Sequence, residues 1–297
     1  MRKWLVAIVF AVMCSVMVFI ATRGPEKMRI TLVKDAYVVI RNEEVGRFQV
    51  HLFINQRHPS IINLDYIIQS YLENNGNLIP IMLESIQCVQ KCSILNATYY
   101  DFSYQFMIDF PQELALDNAW LVIVPSYQEE LRLEIGSFSY YIAPTQSVDF
   151  FRVTHLKGVM NSEENKRLVA VLLEINGFFP FDILSIEALN HQVTVGNPII
   201  LTTSDQSNDE FLDLLVQHGY YPEGEASQMT VVDVLEDTML LLPLYYTHDY
   251  LISTLAFRLI CRDGGYQTTS LIDSFCFFTH HLQQVNVHDL VFYEYSV

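Results

Sequence analysis

The sequence predicts an all-β fold, in which two tandem β-sandwich domains of immunoglobulin-like architecture follow one N-terminal transmembrane helix. Three observations support this prediction. An apolar run opens the chain, apolar and polar residues alternate through much of the rest, and the alternating segments recur with short polar breaks between them. Such spacing is typical of sandwiches that bury one face of each strand. The label is an analogy at the level of the fold and supplies no function.

The first element is an apolar segment from Trp4 to Ala21, with Ser15 as its only polar residue. A helix of that length spans about 27 Å, close to the roughly 30 Å of a hydrocarbon core. We expect an uncleaved signal anchor over residues 1–27, because the run is longer than that of a removable signal and Phe19 stands where cleavage needs a small residue. A cleaved signal is one alternative, and a lipid-modified Cys14 is the other.

The charge balance bears on localisation and on partners. The formal net charge is −17, with 34 acidic and 17 basic residues. This excess argues against nucleic acid as a partner, because phosphate contacts need clustered Lys and Arg. Basic residues just after the anchor oppose the usual orientation rule. An acidic body that follows a three-residue N-terminal tail nevertheless favours a single-pass protein of the cell membrane with extracytoplasmic domains.

The first domain is predicted over residues 28–150. Its clearest strand runs from Tyr100 to Ile108, where aromatic residues alternate with polar ones. This pattern is typical of a half-buried strand. Three further segments give the same prediction: Arg47 to Ile54, Ala119 to Val124 and Leu131 to Ile142.

The second domain is predicted over residues 151–297, after a turn-rich stretch at 143–147. Its predicted strands are Leu168 to Ile175, Gln192 to Val195, Ile199 to Thr203, Ser253 to Ile260 and Leu271 to Phe278. A helical insertion is expected around 205–225, with Asn208 as the N-cap and Gly219 as the left-handed stop. It would be either a recognition appendage or a crossover between sheets.

Two internal matches favour a duplicated domain. A shift of 137 residues places Trp120–Val124 on Phe257–Cys261 and residues 135–141 on 272–278. A shift of 120 residues places Arg47–Leu52 on Arg167–Leu172. Two matches in the same order, with an insertion between them, are expected from a repeated unit. Chance similarity among aromatic-rich strands is the alternative.

Acidic residues dominate the second half, since residues 168–257 hold 13 Asp and Glu but no Lys or Arg. Dense carboxylates are the ligands that calcium needs, and calcium is the one candidate cofactor. The residues that could bind it are Asp205, Asp209, Glu210 and Asp213. The cluster lacks the spacing of an EF-hand loop, and a helix N-terminus favours acidic residues without any ion. A solvated face and a docking surface for a basic protein partner are the alternatives.

Four cysteines outside the anchor could form disulfides in an exported protein. They are paired within each half: Cys88 with Cys92, and Cys261 with Cys276. A bond between Cys88 and Cys92 would need a tight turn, because residues four apart on an extended strand are about 13 Å apart. Buried free thiols are the alternative.

These observations predict binding rather than catalysis. Familiar nucleophile, phosphate-loop and zinc-protease motifs are absent from the sequence, and no catalytic residue is assigned. We expect a membrane-anchored extracytoplasmic protein that acts as an adhesion module or as an accessory subunit of a membrane complex. An exported hydrolase on a β-sandwich scaffold is the alternative function, and it would require a cleft with convergent carboxylates or histidines.

Overall fold

The computed structural model describes residues 27–41, 45–126, 129–143, 150–161, 167–202, 206–221, 230–234, 237–247, 252–276 and 290–295. These residues form a nearly all-β structure with a single α-helix among them. The all-β class predicted from the sequence is therefore confirmed. The predicted anchor segment up to residue 26 lies outside the described residues. Among the residues that are described, no helix has the length and apolar character needed to cross a membrane.

The first half contributes eight strands to one sheet. They are β1 Met28–Val33, β2 Asp35–Arg41, β3 Gly46–Ile54, β4 Ile67–Asn74, β5 Asn77–Ile94, β6 Ala97–Ile108, β7 Leu114–Pro125 and β8 Leu131–Ile142. A ninth strand, β18 (Leu290–Tyr295), comes from the C-terminal end of the chain. The order is β18-β1-β3-β6-β5-β4-β7-β8-β2, and the long strand β5 joins its two arms.

The two arms of this sheet enclose a common aromatic core. On β6 the buried residues Phe102, Tyr104, Phe106 and Ile108 follow the predicted alternation. The ring of Phe48 on β3 stacks on Phe106 at 5.3 Å between centroids and meets Phe138 of β8 edge-on at 4.9 Å. Such pairs stabilise a core beyond the area that they bury. Alternation along each strand thus determines which face closes the core.

The second half forms two sheets around a core of its own. Its strands are β9 Phe151–Met160, β10 Leu168–Gly177, β11 Phe181–Ala188, β12 Val193–Val195, β13 Ile199–Leu201, β14 Val232–Val234, β15 Asp237–Tyr246, β16 Thr254–Asp263 and β17 Tyr266–Cys276. One sheet has the order β12-β15-β10-β9, with β13 also paired to β15, and the other has the order β14-β11-β16-β17. Each strand predicted from alternation overlaps one of the observed strands, and the predicted residues 203, 277 and 278 lie outside the described residues.

The strand orders of the two halves correspond. In the first half β3 lies between β1 and β6, and β7 lies between β4 and β8. In the second half β10 lies between β9 and β15, and β16 lies between β11 and β17. All eight pairings are antiparallel, and the equivalent strands occur in the same order along the chain. This correspondence favours the predicted duplication over chance similarity.

The single helix, α1 (Asn208–Gln217), lies on the outer face of the β9-β10-β15 sheet. It connects β13 to β14, which belong to different sheets, as a crossover would. The predicted N-cap at Asn208 is wrong by one residue. The hydroxyl of Ser207 accepts a hydrogen bond from the Glu210 backbone N–H, and the Glu210 carboxylate accepts one from the Ser207 N–H. The Asn208 side chain instead bonds both backbone groups of Met160, which attaches the helix to β9.

The last strand leaves the second half and joins the first sheet. β18 pairs antiparallel with β1 over its full length, so that Tyr293 lies opposite Ile30 and Glu294 opposite Arg29. On the side away from β1, β18 approaches β8, where the Tyr293 hydroxyl accepts a hydrogen bond from the Glu134 N–H at 2.9 Å. β18 therefore fills the space between β1 and β8. The predicted bounds of the second domain, 151–297, stay a prediction, and residues 290–295 within them pair with the first sheet.

The two halves abut along β2. This strand pairs in parallel with β8, while Val38 and Ile40 pack against Leu189 and Ala256 of the second half. Asp35, at the start of β2, is 2% exposed. Its carboxylate accepts hydrogen bonds from the backbone N–H and the hydroxyl of Ser253 and from the N–H of Ala36. A buried, fully bonded carboxylate at this point makes β2 a structural joint between the halves.

Candidate binding site

A groove lies between two sheet edges of the second half. β9 and β17 each end their sheet, and neither edge is paired to a further strand within the described residues. The groove between them has a volume of about 570 Å³. Its walls are residues 151–156 of β9 and residues 270–273 with Phe275 of β17, and Phe178 closes one side. Two sheet edges facing one cavity present backbone donors and acceptors to whatever enters it.

The groove combines apolar side chains with positive charge. Phe178 is 57% exposed and Phe275 is 42% exposed, which is unusual for two large apolar side chains that line one cavity. Arg152 and His155 on β9 are exposed, in a chain that carries a net charge of −17. Asp273 lies on the opposite wall. The arrangement is suited to an extended ligand with apolar side chains and at least one anionic group.

A serine, a histidine and an aspartate at the junction of the two halves resemble a catalytic triad and bear on the hydrolase alternative. His191 bridges two residues of the first half: Nδ1 lies 3.1 Å from the Ser139 hydroxyl and Nε2 lies 2.7 Å from the Asp117 carboxylate. In a catalytic triad the serine must be accessible to an acyl group. Ser139 is completely buried, whereas Asp117 is largely exposed. The geometry therefore supports a second polar link between the halves and does not favour hydrolysis.

The acidic residues proposed for calcium lie at the start of α1. Asp205 lies outside the described residues. Asp209 and Asp213 are exposed, and Glu210 is the residue of the capping box. The hydrogen bonds from Ser207 lower the pKa of Glu210, the backbone N–H making the largest contribution. Among the described residues, no group of three or more metal-ligating side chains was found. Helix capping accounts for one member of the cluster, and calcium binding stays a prediction.

The structure brings neither predicted cysteine pair together. Cys88 and Cys92 lie on the extended strand β5, and both are free thiols, as is Cys261. Cys261 pairs in register with Thr268 near the hairpin turn, whereas the backbone of Cys276 lies opposite Thr254 at the other end. That separation is on the order of 20 Å, beyond the limit of about 7 Å between Cα atoms in a disulfide.

The thiols should differ sharply in reactivity. Burial raises the pKa of Cys92 to about 11 and that of Cys261 to about 12, whereas Cys88 is exposed. We expect iodoacetamide at pH 8 to modify Cys88 first, because the thiolate is the nucleophile and roughly one in a thousand Cys92 thiols is ionised at that pH. Raising the pH to 10 should accelerate Cys92 about a hundredfold. Peptide mass spectrometry measures each site separately, and a Cys88–Cys92 disulfide in the purified chain would contradict the extended strand.

Sequence reasoning missed strand β9 and hence the groove. The strand sequence FRVTHLKGVM alternates only weakly. A usable signal was present nevertheless. Arg152, His155 and Lys157 lie together just before the long stretch without Lys or Arg. A cluster of basic residues in an otherwise acidic chain indicates a surface that attracts anionic groups.

Comparisons with known proteins identify no family. No family model and no curated protein matches this chain. Among solved structures, the chain is similar to the C-terminal domain of the Streptococcus agalactiae AgI/II polypeptide BspA, with 9% identity, 82% of this chain and 98% of that chain covered, and a TM-score of 0.22. It is also similar to a chain described as BspA_C_WT, with 10% identity, coverage of 82% and 98%, and a TM-score of 0.23. Similarities of this size establish neither a shared function nor a shared site.

Proposed function

We propose that this chain is a membrane-anchored binding protein that acts outside the cytoplasm, as an adhesion module or as an accessory subunit of a membrane complex. The groove between β9 and β17 is the observation that carries the proposal. Exposed sheet edges recognise partner chains through main-chain hydrogen bonds, with side-chain pockets adding specificity. Binding through this groove would be non-catalytic. A basic protein partner could in addition meet the exposed acidic residues of α1.

We also propose that each half of the chain is an immunoglobulin-like domain. In that fold, strands A, B, E and D form one sheet and strands C, F and G form the other. The order β1-β3-β6-β5 facing β4-β7-β8 follows this scheme, and so does β9-β10-β15-β12 facing β11-β16-β17. The agreement in both halves supports the assignment. Sandwiches of this class often serve as rigid supports for recognition.

The membrane anchor and the orientation rest on the sequence alone. An apolar run of spanning length at residues 4–21 and an acidic body beyond it support an exported body held at the membrane. External protease added to intact cells that express a C-terminally tagged, full-mass chain should remove the tag. Protection of the tag would contradict the orientation. A purified chain lighter by about 2 kDa would indicate a cleaved signal instead.

The binding role can be tested in intact cells with a photo-crosslinking amino acid at Thr154, an exposed β9 position in the groove. We expect a discrete adduct whose mass exceeds that of the chain. The matched control carries the same amino acid at Arg57, an exposed residue of the first half. No adduct from Thr154, or the same adducts from both positions, would overturn the proposal.

A further inference from the structure

Among the described residues, no strand of the second half occupies the position that β18 fills in the first half. β1 corresponds to β9 and β8 corresponds to β17 in the matching strand orders. In the first half, β18 lies between β1 and β8. In the second half, the same position is the groove of about 570 Å³. The fold thus contains one filled and one open copy of the same site.

The filled copy shows which chemistry the site accepts. Tyr293 and Tyr295 reach across to β8, where their hydroxyls bond the backbone of Glu134 and Arg132. Glu294 points the other way and makes salt bridges with Lys27 at 3.3 Å and Arg29 at 2.9 Å. Aromatic side chains therefore face the groove, and an acidic side chain meets basic residues at the outer edge.

The walls of the open groove offer a similar surface to aromatic side chains. Ile30, which lies opposite Tyr293, belongs to the first core, and Tyr293 and Tyr295 pack against that core. Val153 of β9 and Ile272 of β17 belong to the second core and line the groove on opposite walls. An aromatic residue of an added strand would therefore enter between Val153 and Ile272.

The strands β1 and β9 each carry an arginine on their exposed face, Arg29 on β1 and Arg152 on β9. Arg152 is exposed and lines the groove. An acidic side chain on an added strand would meet Arg152 and the neighbouring His155, as Glu294 meets Lys27 and Arg29.

We propose that the groove binds an extended segment of a partner protein, which adds to β9 as an antiparallel strand. Its aromatic residues enter the groove between Val153 and Ile272, and an acidic residue between them pairs with Arg152. This inference rests on the proposed binding function and specifies the ligand. Main-chain hydrogen bonds to the free edge of β9 would supply affinity, and the alternating side chains would supply specificity.

The test uses a fluorescein-labelled peptide with the sequence of residues 288–297, HDLVFYEYSV, because it contains the strand that fills the other copy. Fluorescence anisotropy with the purified full-length chain should show saturable binding. Arg152→Glu should weaken binding about tenfold or more, since a close like-charge pair replaces an attractive one. The control Arg57→Glu makes the same change in net charge away from the groove and should leave binding unchanged. A peptide of scrambled sequence should not bind.

Three results would overturn the inference. The first is no saturable binding, as would follow if a segment of the chain itself or a second copy filled the groove. The second is binding that neither Arg152→Glu nor Arg29→Glu weakens. The third is binding lost on Arg29→Glu but not on Arg152→Glu, which would indicate exchange with β18 on the first sheet. If the peptide fails while Thr154 still yields a specific crosslink in cells, the binding function stands and only the strand chemistry is wrong.

Discussion

Replacing Gly136 by alanine should destabilise the protein by about 3–4 kcal/mol, because two costs act at one position. Gly136 has a φ of +112°, which L side chains rarely adopt. A Cβ atom there would also lie 2.1 Å from the backbone oxygen of Asp35 on the neighbouring strand. The clash is with backbone, so no side-chain rotation relieves it. β2 would have to move away from β8, and the contacts of β2 with the second half would be lost with it.

The matched control for this substitution is Gly76→Ala. Gly76 has a φ of +83°, and nothing lies within 4 Å of a Cβ placed there. That variant carries the backbone strain without the clash and should lose about 1 kcal/mol. Urea denaturation of the purified full-length chains, followed by tryptophan fluorescence, compares the two. If both variants lost the same free energy of unfolding, β2 would be able to move away from β8 at little cost, which would contradict its role as a joint.

The sequence predicts nine of the eighteen described strands, and it succeeds best where burial on one face imposes a period of two. Phe102, Tyr104 and Phe106 alternate with polar residues, and they are buried as expected. Strand β5 was missed, because its C-terminal part (ESIQCVQKCS) is mostly polar and exposed. It is held there by pairing with β6 rather than by a core face of its own. Alternation reports burial and does not report backbone pairing.

Long-range pairing lies beyond the reach of such patterns. The segment Leu290–Tyr295 (LVFYEY) resembles any short aromatic strand, and nothing within it specifies β1, more than 250 residues away, as its partner. The groove depends on the same kind of information, because an edge exists only when the strands of the whole sheet are known. Asp35 is a third example. Its sequence context suggests a surface carboxylate, and only the packing of the two halves buries it.

The loss of the Asp35 carboxylate should strongly destabilise the joint between the two halves. Asp35→Ala leaves the N–H of Ala36 and both the N–H and the hydroxyl of Ser253 without their acceptor in a buried site. Unsatisfied buried donors keep their desolvation penalty, so we expect a loss of about 3–5 kcal/mol in the free energy of unfolding. Urea denaturation of the full-length chain measures it. Ser253→Ala removes a single hydrogen bond and should lose only about 1 kcal/mol.

A second variant separates the lost hydrogen bonds from lost packing. Asp35→Asn keeps the shape of the side chain and one oxygen acceptor, and should therefore be less destabilising than Asp35→Ala. If Asp35→Asn and Asp35→Ala were equally harmful, the charge rather than the acceptor geometry would stabilise the joint. Asp35 and Gly136 are partners in the β2–β8 register. The double variant Asp35→Ala with Gly136→Ala should thus lose less than the two single losses combined, because residues in contact are not independent. Strict additivity would show that the clash at Gly136 acts without displacing β2.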